Sequence, residues 1–147
     1  MIAIRWIAIS IFMLAFVVSA SAKDESVDEL KGRLASARPE DRPGLCVHIA
    51  QNQLRAADKF YNDGKVEQAG AAVADIVEYA EKARDAAVAS HSHLKNVEIA
   101  IRKMSEKLSD IKRSLAFEDQ PPVADAVKHL EDIRTSLLDA MFKKEKK

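Results

Sequence analysis

Residues 66–115 read VEQAGAAVADIVEYAEKARDAAVASHSHLKNVEIAIRKMSEKLSDIKRSL, and their periodicity decides the fold class. One seam runs Val66, Val73, Ala80, Ala87, Leu94, Ile101, Leu108 and Leu115. A second runs Ala69, Ile76, Ala83, Ser90, Val97, Met104 and Ile111. Together they alternate steps of three and four without a break, and Ser90 is the only polar member. That repeat lines apolar side chains along one edge of an α-helix, as in a coiled-coil seam. No Pro occurs between Gly44 and Pro121. The spacing therefore predicts one long helix over about 65–116, roughly 75 Å at 1.5 Å rise per residue.

A competing reading breaks this helix at Ser90-His91-Ser92-His93, four middling-to-poor helix formers in a row. The heptad phase is the same on both sides, which a loop has no reason to preserve. The expectation adopted is the continuous helix. Glu78–Lys82 and Glu98–Arg102 are i,i+4 pairs in the favourable orientation and add a little support.

Working outward, Asn62-Asp63-Gly64 reads as a helix stop, because Gly or Asn takes the left-handed conformation that closes a helix. Upstream of it, Val47, Ala50, Leu54, Ala57 and Tyr61 recur at helical spacing, widened by Cys46, Ile49 and Phe60. This predicts a helix over 43–62 that starts at the Pro39–Gly44 punctuation, with Asp41 as a possible cap. Residues 23–42 hold only Val27, Leu30 and Leu34 as periodic apolar positions, interrupted by Gly32, and predict a marginal helix and linker. Downstream, Phe117 to Pro122 ends the long run, with Pro122 at a first helical position and Pro121 driven out of the helix. Val123, Ala126, Leu130, Ile133, Leu137 and Ala140 then predict a helix over 122–142, followed by a fraying charged tail, 143–147.

Charge orders these pieces. Residues 63–90 carry three basic and six acidic side chains, residues 91–115 six basic and three acidic, and residues 118–142 two basic and six acidic. An acidic closing helix is expected to fold back on the basic half of the long helix, and helix 43–62 on its acidic half. The expected fold class is all-α: an elongated hairpin or bundle with a long central helix flanked by two antiparallel helices. Seam left uncovered near the middle would favour a partner helix or a second chain.

Residues 1–22 read as a cleavable secretory signal. Arg5 is followed by the apolar run Ile7 to Val18, and Ala20-Ser21-Ala22 is a small-x-small cleavage site. The run is shorter than the roughly 20 residues a bilayer span needs. The protein is thus expected to be exported, periplasmic or extracellular, and to meet a membrane only through the signal. Cys46 lies too far downstream for a lipid anchor and is read as a buried small hydrophobe, with pairing to another chain as the alternative.

The 147 residues hold 23 basic and 23 acidic side chains, a formal charge of zero that argues against nucleic-acid binding by bulk electrostatics. The basic set Arg102, Lys103, Lys107, Lys112 and Arg113 reads as a solvated helix face. No Gly-rich phosphate loop or nucleophile elbow occurs, and His48 sits two residues from Cys46 on a different helical face. No catalytic residue and no cofactor is expected, and the chain is read as a non-enzyme. His91 and His93, two apart on a helix, point about 200° apart and cannot share an ion without unwinding. No metal site is expected. The alternative is a periplasmic metal- or small-ligand-binding bundle with His91, His93 and His129 as ligands.

The segment Ala57-Asp58-Lys59-Phe60-Tyr61-Asn62-Asp63-Gly64-Lys65-Val66-Glu67-Gln68-Ala69 resembles the turn of a tetratricopeptide-type hairpin. An aromatic, a Gly three residues on and a small Ala five residues beyond let two helices pack closely there. The likeness covers about residues 45–80 of a single hairpin; no second copy follows at the family's repeat spacing, and the second helix runs past the usual length. It implies protein binding, by analogy with the groove of stacked repeats. The chain also resembles the small exported helical proteins of bacteria that have no assigned activity. The functional expectation is an exported interaction or structural protein. Its seam residues Leu94, Val97, Ile101, Met104 and Leu108 meet helix 122–142, a second copy or a protein partner.

Overall fold

Ser26 and Glu29 close a reciprocal capping box: the Ser26 hydroxyl accepts from the Glu29 N–H, and the Glu29 carboxylate accepts from the Ser26 N–H. This box starts α1, Val27–Ser36, in a computed structural model that describes residues 25–145. The signal-peptide reading of residues 1–22 and the final Lys146 and Lys147 lie outside the described residues. The segment expected to be marginal is thus a capped helix with a function in the core. Leu30 is buried against the bundle, and the Lys31 ammonium of α1 lies 5.4 Å from the Tyr79 ring centroid of α3.

Helix α2 spans Arg42–Asn62 with Pro43 in its first turn, where the missing N–H costs nothing. Asp41 stands at the cap position without capping, because its carboxylate accepts from Arg38 Nε at 3.0 Å instead. The helix ends as its sequence foretold. Gly64 takes φ 72°, Lys65 N–H donates to Phe60 O at 2.8 Å, and Gly64 N–H donates to Tyr61 O at 3.1 Å. Those paired bonds are a Schellman closure with glycine at its left-handed position.

The long helix is where the sequence reading needs correction. Instead of one helix over 65–116 there are two, α3 (Val66–Ser90) and α4 (Leu94–Ser114), joined by a corner at His91-Ser92-His93. Ser92 N–H donates to Ala87 O at 3.2 Å and His91 N–H to Val88 O at 3.4 Å, which is the same Schellman closure as at Gly64. Here the left-handed position is held by His91, φ 51°, and His93 follows with φ 61°. The Ser90 hydroxyl donates to Ala86 O at 2.7 Å and lies 2.6 Å from the Ser92 hydroxyl. Serine and histidine side chains, with no Gly or Pro, build this turn.

A single 3-10 turn, Phe117–Asp119, leads into α5, Gln120–Glu145. Two details differ from expectation. Both prolines lie inside the first turn of α5, since first-turn N–H groups have no intrahelical partner to lose. Gln120 is in the right-handed helical region although Pro121 follows it, so the bias against helix before proline yields here. At the other end α5 continues into the charged tail, as far as Glu145.

The expected pairings hold: α2 packs on α3 and α5 on α4, each as an antiparallel hairpin. The corner adds what one long helix would forbid. It folds the α4–α5 hairpin onto the α2–α3 hairpin, bringing α3 against α5 and α2 against α4. The result is an all-α helical bundle with α1 laid against α2. Its cross-ties include Gln53 Nε2 donating to Asp75 Oδ2 at 2.6 Å (α2 to α3) and Lys107 Nζ–Asp58 Oδ2 at 3.2 Å (α4 to α2). One connected core runs through all five helices, from Leu30, Ile49 and Ile76 to Ile101, Leu108 and Leu130.

Candidate functional site

The five seam residues singled out by periodicity are all interior. Ile101 and Leu108 are fully buried, Val97 and Met104 nearly so, and Leu94 is buried at the edge of the corner. Of the occupants anticipated for this seam, the chain's own helices take the place. The rest of the seam follows suit except at its ends and at the corner: Val66 is 43% exposed, and Leu115 and Ser90 are half-buried. The seam is thus the core of a folded chain, unavailable to a partner without opening the bundle.

A salt-bridged cluster accompanies it on the α4–α5 interface. Glu98, buried to 8% exposure, accepts from Arg134 Nε at 2.6 Å; Arg134 also reaches Glu131 at 3.3 Å, and Arg102 approaches Glu98 at 3.8 Å. Sequence spacing identified the Glu98–Arg102 pair but not the shorter cross-helix bond to Arg134, which only the hairpin creates. The Glu78–Lys82 pair forms at 2.7 Å, and its hydrogen bond holds the Glu78 carboxyl below the ordinary carboxylate range. Of the basic face on α4, Lys107 is tied to Asp58 and Arg113 to Asp110 at 3.0 Å.

The anticipated ligands are scattered. His91 and His93 form the corner, while His129 sits exposed on α5. Among the described residues, no group of three or more His, Cys, Asp and Glu side chains is placed to hold a metal ion. Among the same residues, no helix is long and apolar enough to cross a membrane.

Cys46 is 2% exposed, and burial pushes its thiol above the ordinary range against the opposing pull of Lys82 and Arg42. A thiol held neutral and covered is a poor nucleophile. Reaction of native protein with a soluble thiol reagent at pH 8 should therefore be at least about tenfold slower than in denaturant. Equal rates, followed by absorbance of the released chromophore, would show the α1–α2 corner to be open.

An apolar concavity lies between the C-terminal halves of α3 and α5. It encloses about 660 Å³, and Val88, Ala89, Leu94 and Ala140 give it apolar surface. Arg84, Asp85, Asp139 and Lys143 stand along its rim. Val88 is 40% exposed and, beside Ala89, adds apolar surface to the lip of the groove. A second groove of about 470 Å³ lies across α3, toward Leu34, Pro39, Arg42 and Cys46, and shares Asp85 and Ala89 with the first. Sequence reasoning named Leu34, Cys46, Leu94 and Ala140 as periodic apolar positions but missed Val88 and Ala89, because it followed the seams. The available signal was the run Ala86-Ala87-Val88-Ala89, in which three apolar residues fall outside both seams.

Comparison with protein-family models, with curated proteins and with solved structures finds no match in any of the three. What the fold defines is a class, the small all-α helical bundle. Function has to be argued from the surface that this bundle leaves open.

Proposed function

We propose that this protein is an exported, non-catalytic helical interaction protein that docks a basic, amphipathic helix of a partner protein in the α3–α5 groove. The observation that carries this reading is the groove itself, an apolar trough walled by two helices with exposed Val88 on its lip. Helix-in-groove recognition uses this geometry: an apolar stripe fills the trough while the rim charges set register. Charge argues for the sign of the partner. The region containing α3, residues 63–90, carries a net −3, and residues 118–142, which include most of α5, a net −4. The corner brings these two acidic helices side by side. Although the groove's own rim is balanced, Arg84 and Lys143 against Asp85 and Asp139, the helices that wall it are acidic as a whole and favour a basic partner. The likeness of residues 45–80 to a tetratricopeptide hairpin points the same way, toward protein binding. Export rests on the segment 1–22.

Titration of the folded protein with a synthetic Leu/Lys amphipathic helix, and with its Leu/Glu counterpart, tests the reading. The basic peptide should bind in the micromolar range and weaken as salt rises, and Val88→Arg should cost at least about tenfold in affinity. The acidic peptide should not bind. Equal binding of both peptides, or indifference to Val88→Arg at unchanged helicity, would overturn it.

A further inference from the structure

We infer that the His91–His93 corner is a hinge that can straighten, and that two copies of this chain then exchange α4–α5 hairpins to form a domain-swapped dimer. This goes beyond docking of a partner helix and does not depend on it.

The first observation is strain. Among the described residues, His91 and His93 are the non-glycine positions with positive φ, at 51° and 61°. The left-handed region crowds Cβ against the backbone in any L-residue but glycine. Two such residues within three positions are kept only because the surrounding packing holds them there. At Gly64 the same closure is made without that penalty, so the chain uses glycine for a permanent stop and histidine for this corner.

The second observation is phase. Across the corner the apolar positions continue in one register: Ala83, Ala87, Ser90, Leu94, Val97. A straightened 66–114 segment is therefore a continuous amphipathic helix, with no Gly or Pro from residue 71 to residue 120 to oppose it. The backbone groups now held by the Schellman bonds would pass into ordinary i to i−4 bonds, and both strained residues would relax.

The third observation is how the contacts divide. The two hairpins, α2–α3 and α4–α5, hold the most extensive interfaces, and the Glu98–Arg134 bond lies wholly within the second. Straightening leaves both hairpins whole. What opens is the lesser interface between them, including α3 with α5 and Lys107–Asp58. A second copy that has opened in the same way offers the identical surface in return. Exchange of an identical element restores every one of these contacts and changes only the hinge, and short strained hinges favour it. The occupant of the opened face is thus a second copy of this chain.

The test compares two hinge variants of the described domain in the full chain. His91→Ala/His93→Ala keeps the strain and improves helix propensity; His91→Gly/His93→Gly removes the strain and weakens the straight helix. After refolding at high concentration, size exclusion with light scattering should give dimer for the alanine pair and monomer for the glycine pair. Their dissociation constants should differ by at least about a hundredfold, since two positions in each of two chains contribute. Matched helicity by circular dichroism confirms that both variants fold.

Spin labels on Gln68→Cys and Glu106→Cys, in a Cys46→Ala background, identify the kind of dimer. With one labelled chain per dimer, the intrachain distance should be about 57 Å along a straight helix. In the bent monomer it should lie under about 30 Å, within the width of a bundle. A dimer retaining the short distance is a surface dimer and overturns the proposal. So does monomer at every concentration, or equal dimer from both variants. The peptide titration is carried out on monomer, so failure there leaves the hinge result standing, and the reverse holds.

Discussion

Ile101→Ala is expected to lower the free energy of unfolding by about 3–4 kcal/mol, through lost burial plus the cavity left behind. Ile101 is fully buried on α4, in the same core cluster as α5 residues Leu130 and Leu137. With a urea slope of about 1–2 kcal/mol per molar for a domain of this size, the midpoint should fall by about 2 M. Leu108→Ala should behave alike. Phe117→Ala, at a side chain 85% exposed, should stay within about 0.5 kcal/mol of the parent. The contrast is diagnostic because the seam also has the pattern of an association surface. If Ile101 served only an intermolecular contact, its truncation would leave the monomer's midpoint unchanged and act on oligomer stability alone. A change in midpoint at constant slope, independent of protein concentration, identifies the seam as intramolecular core.

Arg134→Ala is expected to lower the urea midpoint by about 1 M, more than any other single charge removal on α4 or α5. Its guanidinium supplies the 2.6 Å bond to Glu98, whose side chain is 10% exposed and has Arg102 only at 3.8 Å as a substitute. A carboxylate left covered without its donor loses hydration that nothing replaces. Arg113→Ala, whose pair with Asp110 is exposed on both sides, should produce a shift too small to resolve. The double variant Glu98→Leu/Arg134→Leu should recover most of the loss, because apolar residues of similar volume remove the desolvation cost together with the bond. If Arg134→Ala and Arg113→Ala behave alike, the Glu98 cluster is solvated in solution and contributes nothing to register between α4 and α5.

Much of the architecture is legible without a structure. The alternation of three and four from Val66 to Leu115 names helix and no other element, and Asn62-Asp63-Gly64 marks a closure that the backbone makes with Gly64 at φ 72°. The short connections pair the helices correctly, α2 with α3 and α4 with α5, and the charge blocks agree for the second pair. Ser26 and Glu29, three residues apart at the head of α1, also carry the capping-box pattern in the sequence, and that pattern marks the start of α1 in spite of Gly32. The groove was less accessible. Its residues Val88 and Ala89 lie outside the seams, and Ala140 lies on a helix some fifty residues away in the chain, so no local pattern brings them together.

The amino-acid sequence alone determined that this chain is helical, which edge of each helix is apolar, and which helices pair as hairpins. These follow from spacing and charge along contiguous segments, and such properties are local. Only the tertiary structure decided that the central run turns back at His91-Ser92-His93, that the seam closes on its own chain, and that a groove opens between α3 and α5. The physical reason lies in what phase measures. A corner that consumes three residues leaves the count between Ser90 and Leu94 unchanged, and both halves turn the same edge to one core. An unbroken register is therefore compatible with a straight helix and with a folded one. Burial of the seam by α4–α5 against α2–α3 offsets the cost of two left-handed histidines, and that balance is set by contacts between segments distant in the chain.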